Sequence, residues 1–545
     1  MNKMKNLKYI ISSGVLILLA ILTTVSCTDG NDWDVDDSAN RMFSPLTFEA
    51  TGATATTIDL TFSAIPKAQY YVFEFSEDAE YNTIARTITI NLTELPEYVG
   101  SSTSTKYKFT VENLDGETQY YVRLKTVAYN DTPDSKWVTV TFETKGEQIM
   151  DKVTSITDNS AVVSWIPGSE VTRLVVSSVN GDAEVILPGD AITDGEYKVT
   201  GLEGATSYTV TIYKGEKKRG SLSFVTYSPP PSDGVRYDLN GTENIAEFIY
   251  GLTDESVVLV FPMGSSYVAD WIYDAAANST LRIPSTMKSI IFYGSPGGDQ
   301  ASLSFKEMIL EAAIATIRVE FDNINIKGFD ASADYILNDN PSSARIISEF
   351  KITNSTVSAF RGVMRLRGLS SVSSFTITNS KVTNIGGYGL LTVDAATASV
   401  GILDINNSTI YSLNAANVLT YKSKPTSVSF SNCTFYDAPS TTKYLVNFSA
   451  AGNVTTAFTV SNSLFGSSSA SNNFRGTNPK ATDNFVENSY AASDFKINTG
   501  YPFLGITTYS GTSTDLFTDP ANGDFTIKDE SIGGETKPGD PRWWK

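Results

Sequence analysis

VEFDNINI (319–326) is the first of six related octets, followed by FKITNSTV (350–357), FTITNSKV (375–382), LDINNSTI (403–410), VSFSNCTF (428–435) and FTVSNSLF (458–465). Each has apolar residues at its first, third and eighth places and asparagine at its fifth. The asparagines are Asn323, Asn354, Asn379, Asn407, Asn432 and Asn462, separated by 31, 25, 28, 25 and 30 residues. Alternation with a period of two marks a strand. Self-similarity at about 20–50 residues marks a repeat architecture. A propeller blade needs roughly 40–45 residues, so this spacing predicts one turn of a right-handed parallel β-helix per octet. Equivalent residues of neighbouring turns then lie about 4.8 Å apart. At that distance one side-chain amide can donate to the next and satisfy groups that are costly to bury. Asparagine also tolerates the left-handed backbone of a tight corner. The six asparagines are therefore expected to form a structural ladder; the alternative is a row of exposed turn residues.

Upstream, LDGETQYYVRL (114–124) and LEGATSYTVTI (202–212) share the pattern L-x-G-x-T-x-Y-x-V-x-[LI], 88 residues apart. The pattern resembles the E–F corner of fibronectin type III domains. That resemblance implies two β-sandwiches, with Leu114 and Leu202 plugging the cores. Tyr120 and Tyr208 would be tyrosine corners whose hydroxyls return to the backbone. Residues 57–62 and 161–165 suit strand B, with Phe62 and Trp165 in the core, and residues 70–75 and 173–176 suit strand C. Residues 137–142 and 221–226 would close each module. The predicted fold class is all-β: two fibronectin type III-like β-sandwiches followed by a right-handed parallel β-helix.

The chain starts with Lys3, Lys5 and Lys8, then an apolar run over 15–22 that is too short to span a bilayer. Thr24-Val25-Ser26-Cys27 resembles a bacterial lipobox, which implies lipidation at Cys27. The acidic stretch TDGNDWDVDD (28–37) resembles the export signal of Bacteroidetes-type lipoproteins. The expected location is the outer membrane, lipid-anchored and facing the cell exterior. The expected organisation is a signal peptide over 1–26, an acidic tether over 27–42, sandwiches over 43–146 and 147–228, and a proline linker over 229–234. A β-helix over 235–485 and a C-terminal extension or cap over 486–545 follow. Within it, 307–315 reads as a short inserted helix, and Trp543 and Trp544 as cover for the last coil. LFTDPANGDFTI (516–527) carries Asp519 and Asp524, which suit a turn better than a metal pair.

Composition closes several routes. The formal charge of the 545 residues is −19. Loss of residues 1–26, with three lysines and no acid, would take it to −22. This opposes nucleic-acid binding. There is no histidine, which removes His-dependent triads and imidazole metal sites. Cys27 and Cys433 are the only cysteines, so zinc sites rich in cysteine are excluded. Cys433 reads as a small buried residue.

Each coil carries a second strand: VMRLRG (363–368), LLTVDA (390–395), VLTYKS (418–423) and LVNFSA (445–450). Aligning their apolar residues places Met364, Leu391, Leu419 and Val446 inward. Arg365, Thr392, Thr420 and Asn447 then stack outward, beside Arg367, Asp394 and Lys422. Arg361, Arg365, Arg367, Lys422 and Lys424 make the richest local basic group. Guanidinium forks match carboxylates, so these five residues and Tyr388 are the candidate glycan-binding set. The opposing reading is a salt-bridge ladder, because Asp394 falls between Arg367 and Lys422. Tyr421 lies near Tyr388 in this scheme but faces inward, and Trp271 suits either a platform or the core.

Pectate-lyase-like β-helices hold calcium with clustered carboxylates and use lysine or arginine as base. Here Asp322, Asp394 and Asp404 are scattered, and only the basic part matches. No catalytic residue and no cofactor are assigned, and calcium lacks a clear ligand cluster. Asp32-x-Asp34-x-Asp36 begins like a calcium loop, but Asp37 stands where glycine is needed and Phe43 where glutamate is. The whole layout resembles surface lipoproteins of Bacteroidetes glycan-utilisation systems. The resemblance implies a non-catalytic binder of acidic polysaccharide, partnered by other outer-membrane glycan-uptake proteins. The alternatives are a polysaccharide lyase using Lys422 or an arginine of 361–367, and a structural or adhesive surface protein.

Overall fold

The computed structural model describes residues 41–94, 97–98, 105–129, 131–271, 279–414, 417–439, 443–468, 475–478, 485–501 and 503–545. The expected signal peptide, Cys27 and all but the last two residues of the expected tether lie outside them. No helix of the described residues is long and apolar enough to cross a membrane.

Two β-sandwiches come first. In one, Phe48–Thr51, Ile58–Ser63 and Lys106–Val111 pair antiparallel, with Glu97–Tyr98 at the edge. The facing sheet runs Arg86–Ile90, Ala68–Ser76, Gln119–Ala128, Val138–Glu143. Phe62, Tyr71, Phe73, Phe75, Val122 and Leu124 fill the space between. Inward residues alternate along Gln119–Ala128, as a strand with one buried face requires. The Asp115 N–H donates to the Tyr120 hydroxyl at 3.0 Å, which closes the tyrosine corner. The other sandwich repeats the order: Glu196–Thr200, Ser160–Trp165, Met150–Thr154 in one sheet and Gly181–Ile186, Arg173–Ser178, Ser207–Lys214, Lys217–Val225 in the other. Trp165, Leu174, Val210 and Ile212 are buried there.

From Val235 the chain winds into a parallel β-helix. Its three sheets, A, B and C, hold ten, ten and eight strands among the described residues. Each octet bends from sheet A into sheet B. Val319, Phe350, Phe375, Leu403, Val428 and Phe458 are successive partners in sheet A. Ile326, Val357, Val382, Ile410, Phe435 and Phe465 are successive partners in sheet B. All twelve side chains are buried. The asparagines make the corner, with φ between +46° and +54°, and Asn488 adds a seventh at +45°. Gly294 holds this place one coil earlier, where a Cβ would lie 2.0 Å from the Asn323 carbonyl oxygen.

The corner differs from the expected amide ladder. Of the six asparagines, only Asn379 to Asn354, at 2.6 Å, and Asn432 to Asn407, at 3.0 Å, join amide to amide. Asn323 instead donates to the Gly294 carbonyl at 2.8 Å, and Asn354 to Asp322 at 2.8 Å. Asn354 and Asn379 are exposed. The left-handed residue turns its side chain outward, and the next residue points into the coil. That next place forms the longer stack: Ser355, Ser380, Ser408, Cys433, Ser463 and Ser489, all buried. The Ser355 N–H donates to Ser380 Oγ at 3.1 Å, and the Ser380 N–H to Ser408 Oγ at 3.0 Å. Beyond Cys433, the Cys433 N–H donates to Ser463 Oγ at 3.1 Å and the Ser463 N–H to Ser489 Oγ at 3.0 Å. Each of these hydroxyls donates to the carbonyl two residues back, at 2.6–2.8 Å.

Three further features depart from expectation. Residues Glu307–Leu310 form a strand of sheet C, paired with Thr280–Ile283. Met308 and Leu310 face inward and Glu307 and Ile309 outward, a period of two that a helix cannot satisfy. The β-helix also continues past residue 485, through Val486–Glu487, Tyr490–Ala491 and Thr507–Thr508. Finally, Trp543 and Trp544 lie on the flank of sheet B rather than over its last coil. The Gly539 N–H donates to the Asn462 carbonyl at 2.7 Å, the Asp540 N–H to Thr434 Oγ1 at 3.0 Å, and Trp543 Nε1–H to Thr409 Oγ1 at 2.6 Å. Arg542 reaches the Asn379 side chain at 3.1 Å. Residues 539–543 thus cross four coils from the side. Tyr411, Tyr436 and Tyr490 pack with Phe517, Phe525 and Trp543 beneath them. LFTDPANGDFTI forms a hairpin, with Asp519 accepting from Asn522 at 2.9 Å and Asp524 from the Thr526 N–H at 3.0 Å.

One ion pair lies inside the β-helix. Arg345 and Asp339 are each 4% exposed at the side chain and bond to one another. Arg345 also donates to the carbonyls of Ile314 at 3.1 Å, Leu310 at 3.2 Å and Glu311 at 2.9 Å. Ser370 donates to the second Asp339 oxygen at 2.5 Å.

Candidate functional site

Sheet C holds the candidate residues. Met364, Leu391, Leu419 and Val446 are register partners and buried. Arg365, Thr392, Thr420 and Asn447 form the next row; three are half-buried, and Thr392 is buried, donating to the Tyr388 carbonyl at 2.8 Å. Tyr335, Gly362 and Gly389 form another row on the same sheet. At Gly362 a Cβ would lie 2.7 Å from Tyr388 Cβ and 3.3 Å from the Tyr335 ring, so glycine there lets both tyrosines lie close to the sheet.

Arg361, Arg365 and Tyr388 come together. The Arg365 guanidinium sits 4.2 Å over the Tyr388 ring and that of Arg361 4.8 Å. Tyr335 joins them, 5.6 Å from Tyr388 between ring centroids, and Arg361 lies 5.9 Å from it. Such stacks hold a cation by the ring quadrupole without neutralising it. The Tyr335 hydroxyl is buried beside Arg365. Arg361 makes no ion pair among them.

The other basic residues separate. Asp394 bonds to Arg365, and Lys422 donates to it at 2.7 Å. Burial works against the Asp394 carboxylate, but hydrogen bonds from Lys422 and Arg365 outweigh it and hold the carboxyl below its usual range. The acid thus bridges Arg365 and Lys422, not Arg367 and Lys422. Arg367 turns toward the preceding coil and donates to Asn338 at 3.0 Å. Lys424 is exposed and has no ion pair among the described residues. Tyr421 is buried inside the coil, stacked 5.9 Å from Phe448, so it is not a neighbour of Tyr388. Trp271 donates to the Thr280 carbonyl at 2.8 Å and packs 5.4 Å from Tyr250. It belongs to the edge of the core.

Glu307 lines an open cleft of about 400 Å³ with Asn338, Asn340 and Ser342. Burial raises its carboxyl above the usual range, against the Asn338 hydrogen bond and the charge of Arg367. A raised folded value means that the folded chain binds the proton more tightly than the unfolded one. The penalty is full above the raised value, fades as pH falls through it, and is gone near the unfolded value of about 4.3. The unfolding midpoint of the parent should therefore rise relative to that of Glu307→Gln as pH falls through this window. Parallel curves for the two proteins would show that Glu307 carries no such penalty.

Sequence reasoning missed Tyr335, Asn338 and Glu307. The available signal was YILND (335–339), one coil before VMRLRG and in register with it. No group of three or more histidine, cysteine or acidic side chains able to hold a metal occurs among the described residues.

These features define an all-β protein with fibronectin type III-like sandwiches ahead of a parallel β-helix. Residues 287–413 match the Domain of unknown function (DUF4957), and residues 428–543 match the Domain of unknown function (DUF5123). No curated protein matches the chain. Among solved structures, a two fibronectin type-III domain segment from chicken tenascin is 22% identical, over 34% of this chain and 99% of that one, with a TM-score of 0.23. The FN1–FN3 domains of chicken CNTN1 are 13% identical over 34% of this chain and 68% of that one, with a TM-score of 0.15.

Proposed function

We propose that this chain is a non-catalytic surface lipoprotein that holds an acidic polysaccharide along sheet C, as a component of glycan uptake at the outer membrane. The single observation that carries the reading is the stack of Arg361 and Arg365 on Tyr388. An aromatic face suits the apolar side of a sugar ring, and the guanidinium beside it suits a uronate carboxylate. The chain has 60 acidic residues against 41 basic ones, so general attraction to polyanions is absent and binding must be local. The lipobox-like TVSC around Cys27 and the acidic stretch after it support the anchor and the exterior location. The ion-paired Lys422 and Arg365 are poorly placed to act as a lyase base, which favours binding over cleavage.

Gel retardation of the full chain in polygalacturonate, with absorbance of unsaturated sugar products followed in parallel, tests this reading. The parent should be retarded without product. Arg361→Gln with Arg365→Gln should weaken retention at least tenfold, about 1.4 kcal/mol, with an unchanged fold by circular dichroism. Product formation would replace the reading with a lyase. Equal retention of parent and variant would remove the site.

A further inference from the structure

We infer that sheet C carries a second anion-binding station, built on Arg475, and that one extended polyuronate chain occupies both stations at once. The inference rests on the proposed polysaccharide-binding role of the first.

Arg475 opens the strand Arg475–Asn478 and is the register partner of Tyr444. Its guanidinium lies 4.6 Å over the Tyr501 ring and 5.3 Å over that of Tyr444, and donates to the Tyr444 hydroxyl at 2.9 Å. The two rings are 5.4 Å apart. This repeats the chemistry of Arg361, Arg365 and Tyr388 with different residues. Arg475 has no ion pair among the described residues, and its Nε–H is buried without a partner. In a chain of charge −19, carboxylates to neutralise it are plentiful. A half-buried cation that stacks on aromatic faces instead keeps its charge available to an incoming anion.

The two stations share one longitudinal row. Tyr335, Gly362 and Gly389 are aligned at one end and Tyr444 and Arg475 at the other, with Leu391, Leu419 and Val446 in register between them and the Tyr444 N–H donating to Asn417 Oδ1 at 3.0 Å. From the strand Gly362–Leu366 to Arg475–Asn478 is four strand steps, about 19 Å at about 4.8 Å each. The row between them holds small polar residues, Thr392, Thr420 and Asn447, and the nearby Asp394 is engaged by Arg365 and Lys422. A chain lying along this row meets cation and aromatic ring, a neutral polar stretch, then cation and ring again. A polymer with a carboxylate on every sugar fits that pattern. A dimer reaches only one station.

Isothermal titration with galacturonate dimer and with an oligomer of about ten units, long enough to cover the strand spacing, separates the possibilities. The parent should bind the long oligomer at least about tenfold more tightly than the dimer. Arg475→Gln should lose that gain while still binding dimer at the first station. Arg475→Lys, which keeps the charge, should retain most of the gain and guards against a misfolded glutamine variant. A length gain that survives Arg475→Gln in full would overturn the second station and leave the first standing. Failure of the parent to bind either length would overturn both.

Discussion

Arg345→Leu should lower the stability of the β-helix by about 3–5 kcal/mol, because it strands the Asp339 carboxylate in the interior. Arg345 and Asp339 are almost wholly enclosed, and the guanidinium also answers three carbonyls from Leu310 to Ile314. Leu310 ends the strand Glu307–Leu310, and Glu311 and Ile314 lie in the connection leaving it, where the Glu311 carbonyl also accepts from the Ile314 N–H at 3.0 Å. Removing the guanidinium therefore leaves a buried charge and takes a donor from three carbonyls. Arg345→Leu combined with Asp339→Leu should regain much of the loss, since an apolar pair of similar bulk avoids the desolvation cost. Urea unfolding of the full chain, followed by circular dichroism, measures both. A single-variant loss below about 1 kcal/mol, the range of exposed pairs, would show that the pair is solvated in solution.

The second large effect concerns the hydroxyls at the corner. Ser380→Ala should cost about 1–3 kcal/mol. It leaves the buried Ser355 N–H without its acceptor at 3.1 Å. Serine to alanine removes little volume, so the loss reports the hydrogen bonds rather than packing. Cys433→Ser should be neutral or slightly stabilising. The Cys433 thiol already occupies the hydroxyl's place, with its sulfur 3.2 Å from the Ser431 carbonyl and 3.3 Å from that of Ile405. A serine there would offer a stronger donor and acceptor than sulfur. Hydrogen exchange should show faster opening at the Ser355 amide in Ser380→Ala and no change at the Ser408 amide in Cys433→Ser. Unchanged exchange at Ser355 would mean that water replaces the lost hydroxyl.

Much of this architecture was legible in the residues. The octets disclosed the coils because apolar alternation and a left-handed asparagine are both local properties, and the stacking of coils makes their places coincide. The paired L-x-G-x-T-x-Y motif disclosed the sandwiches for the same reason. The serine stack was written there too, one place after each asparagine in Asn354-Ser355, Asn379-Ser380, Asn407-Ser408 and Asn462-Ser463. It went unread because alternation assigns that place outward, and only the bend at φ near +50° turns it in. The basic group was legible as a set but not as pairs. Side-chain length lets Asp394 reach Arg365 across a diagonal, while Arg367 reaches back to Asn338. Tyr335 and Arg475 escaped notice because YILND has Asp339 where the next coil has Leu366, RGTN has no apolar residue, and connections of variable length hide their alignment.

The strap formed by residues 539–543 has a consequence for biosynthesis. Asp540 meets Thr409 across 131 positions of sequence, and Arg542 meets Asn379 across 163. Coils completed early are therefore covered only once residues 516–543 have been made: Phe525 packs on Tyr411 and Tyr436, and the strap follows it. A chain cut between residues 465 and 516 should expose these tyrosines as an apolar stripe, the kind of surface that proteases and chaperones recognise.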